Sequence, residues 1–283
     1  MLKKLFKYDL VSIARYWWIV AVSELVLAIG AAMALRIVLL DMESTVFEGL
    51  SGLVVILSYL VLAVSLFAIL LAPLLTTVLA MVRFYKNLFS DEGYLTFTLP
   101  VSRSHILLSK LLTVSCFGAA DFLLVITSVL LVLTLGSAGT SYTLLESVRE
   151  ALFAWTDGYG LAWVGLLVSI LLFVAASGFF GTASVFLCIT LGATVCKRYK
   201  VLGAIGFYYL GNLVIQLVGQ VGGILVMALL GEGIADAYMA ATPSGILVLT
   251  ALLIGWVAML IAALGLFLYL LTLRLLERRL NLP

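Results

Sequence analysis

Residues Arg83 to Lys110 read RFYKNLFSDEGYLTFTLPVSRSHILLSK, the longest polar interruption between two strongly apolar segments of the chain. The stretch holds four basic residues (Arg83, Lys86, Arg103, Lys110), the acidic pair Asp91 and Glu92, the single histidine, His105, and Pro100, one of four prolines. Ser90 is suited to accept a backbone hydrogen bond as an N-cap, which puts Asp91 and Glu92 where the helix dipole favours negative charge. Gly93 weakens this first turn without forbidding it. Tyr94, Leu95, Phe97 and Leu99 follow, and Pro100 biases Leu99 toward an extended backbone, so a short helix is expected to stop there. Ser102 or Ser104 then caps the next long helix. The stretch 83–105 therefore reads as a short helix between two membrane spans.

The composition sets the class. Hydrophobic residues make up 65% of the chain and charged residues 11%, far from the balance of a soluble domain. At about 20 residues per spanning helix, 283 residues hold six spans and short connections. The apolar runs are continuous rather than alternating, which argues for an all-α membrane protein and against a β-barrel. A net charge of +2 gives no nucleic-acid footprint. Cys116, Cys188 and Cys196 have no spacing that suggests a disulfide framework or a metal site.

Working outward from the polar stretch, the second span covers about 51–82 and is expected to kink or break at Pro73. The third covers about 106–135. Upstream, Leu2, Leu5, Phe6, Leu10 and Ile13 recur at helical spacing with Lys3, Lys4 and Lys7 off that face, so 1–15 read as an interfacial amphipathic helix. The first span follows at 16–40, with Tyr16, Trp17 and Trp18 as an aromatic belt. Downstream, the fourth span runs 161–196, long enough to tilt or bend at Gly178 and Gly181, the fifth 201–230 and the sixth 246–273. Thr143 to Trp155 suits a short surface helix, and Gly231 to Thr242 falls in a third external loop. The whole chain, 1–283, forms one transmembrane domain in this reading.

The distribution of charge tests the layout. With both termini inside, fourteen of the sixteen Lys and Arg residues fall on the inner side, the exceptions being Arg36 and Arg149, and eight of the fourteen acids fall outside.

Candidate chemistry is sparse. No G-x-x-x-x-G-K-[ST] sequence occurs, so no phosphate-binding loop is expected, and no catalytic or metal-binding constellation stands out. Two acids do interrupt apolar spans. Glu24 lies in the first span and Asp121 near the middle of the third, and neither can face lipid while ionised without a cost of several kcal/mol. Each must face a cavity, a partner helix or a polar group, or be protonated; for Asp121 a hydroxyl such as that of Ser128 is one such partner. Asn212, Gln216 and Gln220 recur at i, i+4 and i+8 and line one face of the fifth span. Such a row either joins helices or lines a passage.

The run Asp91-Glu92-Gly93-Tyr94-Leu95-Thr96-Phe97-Thr98-Leu99-Pro100-Val101-Ser102-Arg103, followed by an apolar span, resembles the cytoplasmic loop between the second and third membrane helices of ABC-2 type permeases. The resemblance implies that Asp91, Glu92, Gly93, Tyr94, Leu95, Phe97, Leu99 and Pro100 form a coupling helix seated in a groove of a separate ATP-binding subunit. It further implies that residues 1–15 are an elbow helix, that Gly231 to Thr242 is folded back toward the membrane as short helices, and that Glu24 and the row Asn212, Gln216, Gln220 lie near a central cleft. On this reading the chain has no cofactor of its own and catalyses nothing. ATP and Mg²⁺ belong to two copies of an ATP-binding cassette subunit, and a second permease, most simply an identical copy, completes a bacterial exporter of the cytoplasmic membrane. An amphipathic or hydrophobic cargo, such as a toxin or antimicrobial peptide, fits a small amide-lined bundle. Two other readings stay open on the residues alone: a proton- or ion-coupled secondary transporter using Glu24 and Asp121, and a non-transporting membrane anchor or immunity protein. Tyr94, Leu95 and Phe97 could equally lie on lipid headgroups or pack under their own helix ends.

Overall fold

The computed structural model describes residues 2–43, 51–89, 101–138, 144–196 and 199–279. These form seven α-helices and no strand: α1 (Leu2–Glu43), α2 (Ser51–Phe89), α3 (Arg103–Gly136), α4 (Leu144–Tyr159), α5 (Ala162–Val195), α6 (Lys200–Ala240) and α7 (Pro243–Arg279). Six of them, all but α4, are long and apolar enough to cross a membrane, as the composition requires. The chain is consistent with a multi-pass membrane protein.

The helices are longer than the apolar runs alone suggest. Residues 1–15 are not separated from the first span; no Gly or Pro occurs between Leu2 and Ile29, and α1 is continuous from Leu2 to Glu43. The second span continues past residue 82 to Phe89, so Arg83 and Lys86 are helical. It also passes through Pro73 without a break in the helix. Residues 231–240, expected to fold back as short helices, instead extend α6 to Ala240. At 1.5 Å per residue the 41 residues of α6 reach about 60 Å, roughly twice the hydrocarbon thickness of a bilayer. Its end, with Glu232 and Asp236, therefore has length to spare beyond the apolar layer.

The short helix expected near 143–155 is present as α4. Val148, Leu152, Trp155 and Tyr159 fall on one face, and Glu146, Arg149, Glu150 and Asp157 on the other. Arg149 sits 5.9 Å from the centre of the Phe153 ring.

Packing divides the chain into two compact units, interleaved along the sequence. The first contains α1 from Phe6, α2 as far as Ala80, α3 from Cys116 and α4 as far as Ala154. Its apolar core is Ala28, Ala31, Ile69 and Val132, with Leu27, Leu35, Leu62, Val125 and Leu131 packed against it. Lipid is as apolar as leucine, so burial gives little drive for helices to associate in a membrane; close contact and hydrogen bonds do that work. The buried row Ala21, Ala28, Ala31, Ala32 and Ala34 on α1 supplies the close contact.

The second unit contains α2 from Met81, α3 as far as Ser115, and α5, α6 and α7. Its core is Phe84, Leu88, Ile106, Leu107, Leu111, Val185, Phe186, Ile189 and Leu276. The rings of Phe84 and Phe186 stack with centroids 3.8 Å apart. α5 packs along α7 and meets α6. Two glycines permit these approaches: a Cβ on Gly265 would lie 2.6 Å from the Phe179 ring, and one on Gly192 would lie 2.4 Å from the backbone nitrogen of Ala204.

Candidate functional site

The two acids flagged in the spans meet in the first unit, where α1, α2 and α3 build a layered polar site. Glu24 is 1% exposed and Asp121 3%, so neither faces the outside of the chain. Trp17 Nε1–H donates to Asp121 Oδ1 at 2.6 Å, and Thr76 Oγ1–H donates to the same oxygen at 3.3 Å. One carboxylate oxygen thus ties α1, α2 and α3 together. A second rung lies along the same helices, where Ser128 Oγ–H donates to Glu24 Oε1 at 3.4 Å.

Helix geometry explains why the rungs line up. Trp17 and Glu24 are seven residues apart on α1, and Asp121 and Ser128 seven apart on α3, so each pair returns to the same face after about two turns and about 10.5 Å. Both rungs join residues separated by 104 positions. A constant separation along two helices means that α1 and α3 run parallel in register, as the first and third spans of an alternating bundle must. The site can hold polar hydrogen in a water-poor interior: it offers carboxyl oxygens, two hydroxyls and an indole donor. Ser128 was the sequence-level partner for Asp121; the structure assigns it to Glu24 instead, and gives Asp121 to Trp17 and Thr76.

The polar stretch appears only at its flanks. Asp91, Glu92, Gly93, Tyr94, Leu95, Phe97, Leu99 and Pro100 lie outside the described residues. Before them, Phe84 and Leu88 end α2 inside the core of the second unit, and after them Ile106, Leu107 and Leu111 begin α3 in the same core. Ser102 takes the N-cap position of α3: its carbonyl accepts from the N–H groups of His105 (3.0 Å) and Ile106 (3.3 Å), and its hydroxyl bonds Ser104 and the His105 ring. Arg103 reaches the far end of α7, donating to the carbonyl of Leu276 and, at 2.9 Å, to that of Glu277. These are among the terminal carbonyls that a helix cannot satisfy by itself, and a cation there also suits the helix dipole.

The amide row stands apart from both arrangements. Asn212, Gln216 and Gln220 are all exposed on α6, a helix with no buried residue, and the Asn212 side chain turns back to the carbonyl of Tyr208 on its own helix at 3.0 Å. Among the described residues no group of His, Cys, Asp and Glu is arranged to hold a metal ion.

Three contributors were not visible as such in the sequence. Trp17 reads as an interfacial anchor beside Trp18, yet its indole is half-buried on Asp121 while Trp18 is exposed. Thr76 is one hydroxyl among many in apolar spans; its place three residues after Pro73 gives no hint of a carboxylate partner. Arg103 reads as a loop cation, and only its partner residues 173 and 174 positions away reveal a cap.

Comparison with known proteins adds no assignment: no family model matches the chain, no curated protein is found similar to it, and no solved structure matches its fold.

Proposed function

We propose that this chain is the membrane-spanning subunit of an ATP-driven exporter of the ABC-2 type, with both termini in the cytoplasm. The sequence motif from Asp91 to Arg103 supports the reading, and one structural observation carries it furthest. Both chain ends entering the 90–100 stretch are embedded in one close-packed core: Phe84 stacks on Phe186, Leu88, Ile106 and Leu107 are almost fully buried, and Arg103 fastens α3 to the end of α7. A loop that only wrapped lipid headgroups has no need of so stiff a mounting. A loop that receives force does, because packed interiors transmit displacement rather than absorb it.

In the mechanism, an ATP-binding subunit grips Asp91 to Pro100 as a coupling helix. Closure of two such subunits around ATP and Mg²⁺ pushes this segment, and the push passes into α2, α3, α5 and α7 through the Phe84–Phe186 core. The bundle then shifts between two arrangements, the nucleotide favouring one of them by its difference in affinity. This chain binds no nucleotide and catalyses nothing. A second permease copy covers α6, where an exposed row of amides in the apolar middle of the helix calls for a polar partner or a wetted passage. The cargo is an amphipathic or hydrophobic solute, most simply a peptide toxin or antimicrobial peptide.

The test is to co-express the chain with an ATP-binding subunit encoded beside it and measure copurification and ATPase activity in nanodiscs. Joint purification and ATPase stimulation, both lost in Tyr94→Ala/Leu95→Ala/Phe97→Ala with membrane insertion retained, is the expected result. A chain that never associates with such a subunit, or a triple variant with undiminished stimulation, overturns the reading.

A further inference from the structure

The Glu24 carboxyl is only half accounted for. Oε1 accepts from Ser128, whereas Oε2 is buried with no hydrogen-bond partner. A buried carboxylate needs a cationic side chain, several donors, a metal ion or a proton, and a charge left bare in a membrane interior costs several kcal/mol.

Among the described residues of this unit the first three are absent. The part of α2 in this unit, 51–80, contains no Asp, Glu, Lys, Arg or His, and its Tyr59 is exposed. The corresponding part of α3, 116–136, contains Asp121 as its only charged residue, and Cys116 there is exposed. On α1 the nearest cations are Arg15 and Arg36, both exposed. They stand about 13.5 and 18 Å along the helix axis from Glu24. Glu146, Arg149 and Glu150 of α4 are exposed as well. Among the described residues Ser128 is the single donor to it. No cluster of ligating side chains suits a metal ion among the described residues.

We propose that Glu24 is a proton-binding site inside the membrane, a proton being held on Oε2 while α1 and α3 are packed together. When the two helices part and Oε2 meets water, the O–H bond breaks, the proton passes to water and a solvated carboxylate remains. Repacking reverses the step. Asp121, whose Oδ1 already has two donors, does not share this vacancy. Loading of Glu24 thus reports the closed state of the α1–α3 pair. The inference is independent of the exporter reading and applies equally to a chain driven by an ion gradient.

The test uses the full chain in nanodiscs without nucleotide partner. Infrared difference spectra between H₂O and D₂O should show an exchangeable protonated-carboxyl stretch that is lost in Glu24→Gln and kept in Asp121→Asn. Dicyclohexylcarbodiimide, which modifies protonated carboxyls in membranes, should add once per chain on the Glu24 peptide, less as pH rises, and equally in sodium and potassium salts. The inference is overturned by absence of the infrared band in the wild type, by a band unchanged in Glu24→Gln, or by selective protection with sodium, which would make the site a sodium site. All three are read without ATP hydrolysis, so they leave the exporter reading untouched.

Discussion

Trp17 and Asp121 are 104 residues apart in the chain and 2.6 Å apart in space, indole N–H to carboxylate oxygen. Glu24 and Ser128 repeat the same separation two turns along. Together the two contacts fix the register of α1 against α3, because a slip of one residue on either helix turns each side chain about 100° away from its partner. In a bundle whose helices gain little from burial, such contacts carry specificity that apolar packing alone does not supply.

Trp17→Phe removes the indole donor and keeps an aromatic ring beside Phe117, whose centroid lies 5.6 Å away. Thr76 remains as a donor, so the expected loss is about 1–2 kcal/mol of unfolding free energy. Thermal or denaturant unfolding in mild detergent measures it, and combining Trp17→Phe with Thr76→Val should cost more than the sum, because the second change leaves Asp121 Oδ1 with no donor.

Arg103→Ala releases the carbonyls of Leu276 and Glu277 at the end of α7. Charge-assisted bonds of this kind contribute about 1.5–3 kcal/mol. Amide exchange in the last turn of α7 should accelerate by about tenfold or more, the factor that corresponds to 1.4 kcal/mol. Arg103→Lys, with a single point charge in place of a fork, should recover only part of the protection.

Phe186→Ala deletes one half of the Phe84–Phe186 stack in the core of the second unit. The expected cost is about 3–5 kcal/mol, with Phe186→Leu well below that. On the proposed mechanism, ATPase stimulation by Phe186→Leu should fall further than its stability does, which paired unfolding and ATPase measurements resolve.

Gly192→Ala and Gly219→Ala form a contrasting pair. The first would place a Cβ 2.4 Å from the backbone nitrogen of Ala204, so α5 and α6 must separate, whereas the second meets nothing within 4 Å. Gly192→Ala should cost about 1–3 kcal/mol. Gly219→Ala should be neutral or stabilising by up to about 1 kcal/mol, the gain in helix propensity. Unfolding of both variants under one set of conditions checks the contrast.

Asn212→Ala, Gln216→Ala and Gln220→Ala should each change the unfolding free energy of the isolated chain by no more than about 0.5 kcal/mol, as expected for exposed positions. On the proposed function, any larger effect should appear in the assembly, as loss of a crosslinkable pair of chains or of transport. A stability loss well above this in the isolated chain would show that the row packs within it.

Much of the architecture was legible from residues alone, for local reasons. Six apolar runs predicted six spans because crossing a membrane demands length and hydropathy within one segment, and Thr143 to Trp155 suited the short helix observed as α4. Ends were less legible. Lys3, Lys4 and Lys7 suggested a separate interfacial helix, but nothing between Leu2 and Ile29 breaks a helix, and α1 is continuous. Glu232 and Asp236 suggested the end of α6 because charge leaves the apolar layer, yet the helix continues to Ala240.

The sequence by itself determined that the chain is helical and built for a membrane, and that Glu24 and Asp121 need polar company there, since the cost of an ionised group in hydrocarbon belongs to the residue and its span. Only the tertiary structure decided what that company is. Whether Ser128 meets Glu24 or Asp121, whether Trp17 is a surface anchor or a donor, and whether Arg103 is a loop cation or a cap on α7 all depend on the rotation and register of helices far apart in the chain. Those are settled by the simultaneous fit of many weak contacts, and no single segment encodes them.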